Sequence, residues 1–324
     1  MDVILPVAGL GTRLRPQTWS KPKPLVGLAG KPMPAHVLDR VMPAKPDQLI
    51  FITGFLGEQI EEWARANYDL PMTFVQQPHM LGQTDAIIRT RDFVKHDALI
   101  LFPDMIFEAD FTALEGIDAD AVAFTKEVED PSAYGIAVIE NDRVSQLIEK
   151  PEEAVSNLAV IGIYYIKQME RLYAAIDEQM EKGIKTKGEY FIADAIQLMI
   201  DGGAKVITAP VEVWEDCGNA EALLSTNQYL LDRMELARPA QEGATVIQPS
   251  YVSESATLER AVVGPYASIG AHVTIRDAVV RDAVLEDGAS VEGAVLAHAV
   301  IGRGASVSGR PLELNASDLS KITI

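Results

Sequence analysis

Cysteine is nearly absent. Cys217 is the only one in 324 residues, so no intrachain disulfide can form and a reducing, cytoplasmic setting is expected. Positive charge is scarce too: 28 Lys and Arg stand against 47 Asp and Glu, a formal net charge of -19. Such a chain repels a polyphosphate backbone, which argues against DNA or RNA as partners. No basic leader precedes the apolar run Val3 to Leu5, and no apolar stretch is long enough to cross a bilayer. Neither secretion nor membrane insertion is expected. The histidines His36, His79 and His96 fall at no metal-ligand spacing, and Trp19, Trp63 and Trp214 read as packing residues.

What is present is an ordinary globular composition, 48% hydrophobic and 23% charged, in a chain long enough for one large domain and a smaller one. Up to about residue 235, short apolar runs alternate with helical patterns. Val3 to Val7, Leu49 to Thr53, Thr73 to Val75, Ala98 to Phe102, Ala121 to Thr125 and Ala159 to Ile166 read as strands. Gly57 to Tyr68, Thr84 to Val94, Lys167 to Met180, Tyr190 to Ile200 and Asn219 to Leu236 carry apolar residues at helical spacing. This alternation predicts a Rossmann-like α/β domain over 1–236 with a mostly parallel sheet. Its ligands should bind in loops that follow strands. Arg238 to Gly243 lacks periodicity and contains a helix breaker, which places the domain boundary there.

Beyond the boundary a different repeat begins. Aliphatic residues stand at Val246, Val252, Leu258, Val263, Ile269, Ile275, Val280, Leu285, Val291, Leu296, Ile301 and Val307, five or six residues apart. Two positions earlier the residue is almost always alanine, with Ser250 and Val273 as the departures. Residues two apart on a strand share a face, so each repeat offers one branched and one small side chain to a common interior. The pattern predicts a left-handed parallel β-helix of about four coils over 244–310, followed by a tail over 311–324. Exposed coil edges suggest a homo-oligomer formed through this domain.

The strand Val3 to Val7 runs into Ala8-Gly9-Leu10-Gly11-Thr12-Arg13-Leu14, where glycines allow backbone to approach a phosphate and Arg13 supplies a cation. The loop is neither a P-loop nor a dinucleotide fingerprint. Arg15-Pro16, Lys21-Pro22-Lys23-Pro24-Leu25 and Gly30-Lys31-Pro32 follow. Together these segments closely resemble the nucleotide-binding signature of the sugar-nucleotide pyrophosphorylases, the sugar-1-phosphate nucleotidyltransferase family. The terminal coils resemble those of its longer glucose-1-phosphate thymidylyltransferases. The resemblance implies that Ala8, Gly9, Gly11, Thr12 and Arg13 bind nucleotide and that Gln77 and Gly82 contact the base. It also implies that Tyr134, Gly135, Glu149, Lys150, Gly162 and Tyr164 hold the sugar phosphate, and that Asp104 and Asp216 ligate metal. Lys187-Gly188-Glu189 and Asp194 match a further family segment. Pro103 and Met105, beside Asp104, depart from the thymidylyltransferase pattern, and the opening Pro6 to Gly11 is more similar to uridylyltransferases. UTP and dTTP both remain open.

The residue types suit that chemistry, because a sugar phosphate must approach the α-phosphorus of a nucleoside triphosphate against charge repulsion. Two carboxylates can hold Mg²⁺ between phosphate oxygens. Arg13 and Lys23 are the expected catalytic cations, stabilising charge on the α-phosphate and departing pyrophosphate, with Lys150 holding the attacking phosphate in line. No protein nucleophile is required. Cys217, beside Asp216, reads as a small buried side chain, since magnesium prefers oxygen to sulfur. Two other readings remain: a bifunctional enzyme whose coils, bearing His272 and His298, transfer acyl groups, and a non-catalytic relative that senses nucleotide sugars.

Overall fold

The computed structural model describes residues 1–94, 96–153, 155–235 and 243–309. The chain divides into two compact units. The first comprises Met1–Val26 and Lys31–Thr226; the second comprises Gly27–Gly30 and the chain from Asn227 onward. The expected boundary segment, apart from Gly243, and the expected tail over 311–324 lie outside the described residues.

The first unit is built on a nine-stranded sheet. Asp2–Pro6 lies at its centre, paired in parallel with Gln48–Thr53 on one side and Ala98–Leu101 on the other. Met72–Gln76 extends the parallel part beyond Gln48–Thr53. The chain therefore leaves the central strand toward one side and later returns to the other, which opens a crevice at the carboxyl ends of the strands. The second half of the sheet departs from the parallel expectation. Leu158–Ile166 runs antiparallel to Ala98–Leu101, Ala121–Glu127 and Gly135–Glu140, and Gly135–Glu140 forms a hairpin with Arg143–Glu149. A hairpin rather than a crossover helix feeds the long strand, and that reverses its direction. Around Gly162 its register against Ala121–Glu127 shifts between Val160 and Tyr164.

Helices cover both faces, which is why the central strands are apolar throughout. Ile4, Ile50, Ile52 and Ile100 pack with Leu172, Ile176 and Ile196 from the helices Met169–Glu181 and Ile192–Asp201. Val3, Leu5, Leu49, Phe51 and Leu99 point the other way, against Val37, Leu38 and Ile60 from Met33–Val41 and Gly57–Asn67. The expected helix from Thr84 to Val94 is shorter, Gln83–Ile88. Beyond it the backbone tightens to turns in which Thr90 N–H donates to Ile87 O and Phe93 N–H to Thr90 O. Thr90 also bonds the Ile87 carbonyl and the Tyr173 hydroxyl through its side chain, fixing the exit from the helix.

The second unit stacks short parallel strands at a constant offset. Val246, Val263, Val280 and Leu296 are successive ladder partners. So are Val252, Ile269, Leu285 and Ile301, and so are Leu258, Ile275, Val291 and Val307. The three columns form one apolar cluster, with Ala256, Ala261, Ala267, Ala278, Ala283 and Ala289 filling the space between branched neighbours. Ladder partners lie 16 or 17 residues apart, as Val263 and Val280 or Val291 and Val307 show. This sets three repeats per layer, an arrangement compatible with a β-helix. Of the departures from alanine, Val273 is buried, and Ser250 is buried with its hydroxyl donating to Ile247 O at 2.8 Å.

Ile275 is fully buried among these columns. Ile275→Ala is expected to cost about 2–5 kcal/mol, the range for emptying a well-packed aliphatic site. Chemical denaturation monitored by circular dichroism measures that loss.

Candidate active site

Three loops leave the carboxyl ends of neighbouring strands and wall a cavity of about 390 Å³. From the central strand come Val7, Ala8 and Gly9; from the end of Met72–Gln76 comes Gln77; after Ala98–Leu101 come Phe102, Pro103 and Asp104. Lys23, Met80, Gly82, Gln83 and Glu189 complete much of the wall. Six of the expected site residues thus meet here: Ala8, Gly9, Lys23, Gln77, Gly82 and Asp104.

The glycine loop is held by local contacts. Gly11 sits at φ 61°, and a Cβ there would stand 2.7 Å from Lys23 Cβ, so the close approach of Lys23 needs glycine. The Thr18 hydroxyl donates to Gly11 O at 2.8 Å. Thr12 and Arg13 follow in a tight turn, Thr12–Leu14, with Leu14 buried as its anchor and both site residues facing solvent. On the opposite wall Gly82 has φ 133°, and a Cβ would lie 2.4 Å from Tyr190 N. Only glycine fits between that backbone and the helix Gln83–Ile88.

The two candidate metal carboxylates arrive from distant parts of the chain. Met105–Glu108 pairs antiparallel with Val213–Asp216, placing Asp216 opposite Met105 and beside Asp104. Cys217 N–H donates to Asp104 O at 3.0 Å, and the Thr226 hydroxyl to Asp216 O at 2.8 Å, so backbone bonds hold both loops. The Lys23 ammonium lies 2.8 Å from Asp104 Oδ2. Asp216 keeps an exposed surface, but partial burial and then the Asp104 charge push its carboxyl above the ordinary value, against the pull of Lys23, Arg13 and the Gly218 N–H. Burial pushes the Cys217 thiol up to about 12. It stays protonated at neutral pH, in keeping with a packing role.

A second cluster adjoins the carboxylates. Tyr134 packs edge-to-face on Trp214, ring centroids 4.8 Å apart, and its hydroxyl is raised by burial and then by the Asp216 charge. Gly135 is the cross-strand partner of Glu149. Lys150 adopts a left-handed backbone at φ 46°, donates its N–H to Tyr134 O at 2.9 Å, and lies 4.2 Å from the Phe191 ring centroid. Its ammonium is 3.5 Å from Glu149 Oε1. Glu149 is raised above the ordinary carboxylate value by burial, with Asp194 adding to the rise and Lys150 and Lys187 opposing it. Tyr164 is buried, and the charge of Glu149 adds to the burial that raises its hydroxyl. Gly162 lies at the register shift, its carbonyl accepting from Phe102 N–H at 3.1 Å. Tyr164 therefore lies in the core near enough to Glu149 to feel its charge.

Sequence reasoning missed Asp85. It is 5% exposed and receives a 2.9 Å hydrogen bond from Gln77 Nε2. An Asp in the first turn of a helix reads as an ordinary dipole partner, and nothing in the sequence couples it to Gln77. Glu189 was visible only as part of a matching segment; the bridge between Gly82 and Tyr190 brings it to the cavity wall. Among the described residues no group of three His, Cys, Asp or Glu side chains is placed to hold a metal ion, so the metal-binding capacity of this site rests on the carboxylate pair. Both donors are oxygens. Burial raises Asp216 most and the Asp104 charge adds to it; that added repulsion is what a divalent cation between the pair would relieve, and magnesium commonly takes one or two carboxylates with the remainder from phosphate and water. The residues present fit Mg²⁺.

The raised pKa fixes a sign. The folded protein holds the Asp216 proton more tightly than the unfolded chain does, so ionisation costs stability as pH rises from the ordinary carboxylate value through the raised one. Asp216→Asn is expected to raise the melting temperature at pH 7, with the gain fading as pH falls toward 4. Thermal unfolding of both proteins across that range checks it.

A profile described as nucleotidyl transferase matches residues 2–233. The bifunctional protein GlmU of Methanocaldococcus jannaschii is 31% identical over 235 residues, 72% of this chain and 55% of that protein. The chain thus spans about half the length of this relative. The UTP–glucose-1-phosphate uridylyltransferase AglF of Haloferax volcanii is 31% identical over 255 residues, 76% of this chain and 98% of AglF. A solved structure titled UDP-glucose pyrophosphorylase complexed with UDP-glucose superposes with a TM-score of 0.64 at 22% identity, covering 72% of this chain and 99% of that one. The last likeness speaks for the fold of the first unit. No described helix is long and apolar enough to cross a membrane.

Proposed function

The chain belongs to the nucleotidyl transferase family, and on that premise we propose that it transfers a nucleotidyl group from a nucleoside triphosphate, UTP or dTTP, to a sugar-1-phosphate, with glucose-1-phosphate favoured. The observation that carries the reading is the pairing of Lys23 with Asp104 at the cavity that Ala8, Gly9, Gln77 and Gly82 line, with Asp216 near enough to Asp104 to feel its charge. In a net-negative protein Lys23 supplies a cation at the cavity wall, where phosphates must enter.

A sugar phosphate oxygen forms a bond to the α-phosphorus, the bond from that phosphorus to the β-phosphate oxygen breaks, and pyrophosphate leaves. Arg13 and Lys23 offset the charge on the oxygens involved, and Lys150 orients the attacking phosphate. Glu149 accepts hydrogen bonds from sugar hydroxyls in the space left by Gly135, its cross-strand partner. Ala8, Gly9, Gly11 and Thr12 offer backbone to the triphosphate, Gln77 and Gly82 face the base, and Tyr134, Gly162 and Tyr164 shape the sugar side. Asp104 and Asp216 would hold Mg²⁺, which supplies charge neutralisation of the phosphate oxygens when bound.

We assign this catalysis to residues 1–236 and read residues 244–310 as a left-handed β-helix, a reading supported by the 16- and 17-residue ladder offsets. Val295, 74% exposed on a coil strand, and Ile247, 42% exposed, offer apolar surface to another copy. A homo-oligomer through the coils is expected, and light scattering at micromolar concentration checks it, a monomer being the contrary result.

Pyrophosphate release is the direct test. With glucose-1-phosphate and Mg²⁺, UTP or dTTP should support turnover that EDTA abolishes. Asp104→Ala and Asp216→Ala should each lower kcat by roughly 100-fold or more, the scale for removing a group that stabilises transition-state charge. Silence with all nucleotides, in a protein that still binds nucleotide sugar, would identify a sensor instead.

A further inference from the structure

The side-chain amide of Gln77 has two ends of nearly the same shape and opposite hydrogen-bonding character. Here the nitrogen end is spoken for. Nε2 donates to Gly82 O at 3.1 Å and to Asp85 Oδ2 at 2.9 Å. Both partners are acceptors only, so reversing the amide would set its oxygen against a carbonyl and a carboxylate. Asp85 has no such freedom. Its other oxygen is 2.8 Å from Arg89 Nη2, one helical turn on, and the side chain is 7% exposed. The remaining atom of the Gln77 amide, Oε1, has no hydrogen-bond partner among the described residues, and Gln77 lines the cavity while Asp85 does not.

We propose that Asp85, clamped by Arg89, is a positioning residue that locks the Gln77 amide with its oxygen toward the ligand, so that the site selects a pyrimidine whose ring N3 carries a hydrogen over one whose N3 is an acceptor. The inference rests on the reading of Gln77 as the base-facing residue. Uracil and thymine present N3–H to an acceptor; cytosine presents a lone pair, which Oε1 repels. A site built to pair a polar group rejects the mismatched analogue far more strongly than an apolar pocket rejects a change of one methyl. The lock therefore accounts for discrimination against cytosine while leaving UTP and dTTP nearly equivalent.

A purely structural role for Asp85 is the competing account. A carboxylate in the first turn of Gln83–Ile88, paired with Arg89 four residues on, stabilises a helix whatever Gln77 does. That role predicts a change in melting temperature and none in base preference. The two accounts separate in the ratio of UTP to CTP affinity, measured by titration calorimetry with Mg²⁺ on wild type, Asp85→Asn, Gln77→Ala and the double variant. In Asp85→Asn the new amide keeps its oxygen toward Arg89 and turns its nitrogen toward Gln77 Nε2, so donor meets donor, and the Gln77 amide is pushed toward its reversed orientation with only the longer bond to Gly82 O opposing. The UTP:CTP ratio is expected to fall about tenfold or more, with CTP affinity holding or rising. Gln77→Ala should also collapse the ratio, and Asp85→Asn should add nothing in that background. If Asp85→Asn does not fold, Asp85→Ala removes the lock without introducing a donor and should lower the ratio by a smaller factor. Equal loss of UTP and CTP affinity in the Asp85 variants, with the ratio collapsed only by Gln77→Ala, overturns the inference and leaves the base-facing reading intact. An unchanged ratio in Gln77→Ala sinks that reading and the inference with it, as does a wild-type protein that binds CTP as tightly as UTP.

Discussion

Two carboxylates that repel each other sit side by side because a short antiparallel pairing holds them there. Val213–Asp216 against Met105–Glu108 fixes the approach of Asp216 to Asp104, and the hydrogen bond from Cys217 N–H to Asp104 O extends the pairing one step further. The ladder and the Thr226 hydroxyl donating to Asp216 O fix the backbone that carries Asp216. The rest of the site answers this stored repulsion. Lys23 lies against Asp104, Arg13 contributes its charge near Asp216, and Asn219 caps the helix that follows by accepting from Ala222 N–H. Positive charge is scarce in a chain of -19, and Lys23 and Arg13 are the cations that act on this carboxylate pair.

The parallel strands supply the platform and the antiparallel ones supply the reach. Loops after Asp2–Pro6, Met72–Gln76 and Ala98–Leu101 come together because their strands run the same way, with the crevice at the side-switch beside the central strand. The hairpin of Gly135–Glu140 and Arg143–Glu149 then brings Tyr134 to Asp216 from the far half of the sheet, with Glu149 and Lys150 at its other strand end. Its turnback places Gly135 opposite Glu149, so the small residue and the buried acid are delivered as a cross-strand pair. Burial and Asp194 raise the Glu149 carboxyl there, and Lys150 and Lys187 oppose the rise.

The second unit follows a simpler rule. Each coil strand is too short to be stable alone, and each finds its partner one layer away at the same column. Alanine between branched residues keeps the interior narrow, so the aliphatic columns close-pack without large side chains. The coils owe their regularity to repetition rather than to any single contact.

Where a pattern is local or periodic, the sequence alone determined the outcome. The aliphatic columns, the central strands and most of the helices all follow from spacing, because burial of a face imposes its period on neighbouring residues. Motif resemblance supplied the order of the site segments. What only the tertiary structure decided is which of them touch: the approach of Asp216 to Asp104 across a separation of 112 residues, the antiparallel run of Leu158–Ile166, the placement of Tyr164 near Glu149, and the lock that Asp85 sets on Gln77. Those are pairings between distant segments and choices between two ends of an amide. No local period encodes them, since they exist only once strands have found their neighbours and burial has removed the water that would otherwise satisfy each group separately.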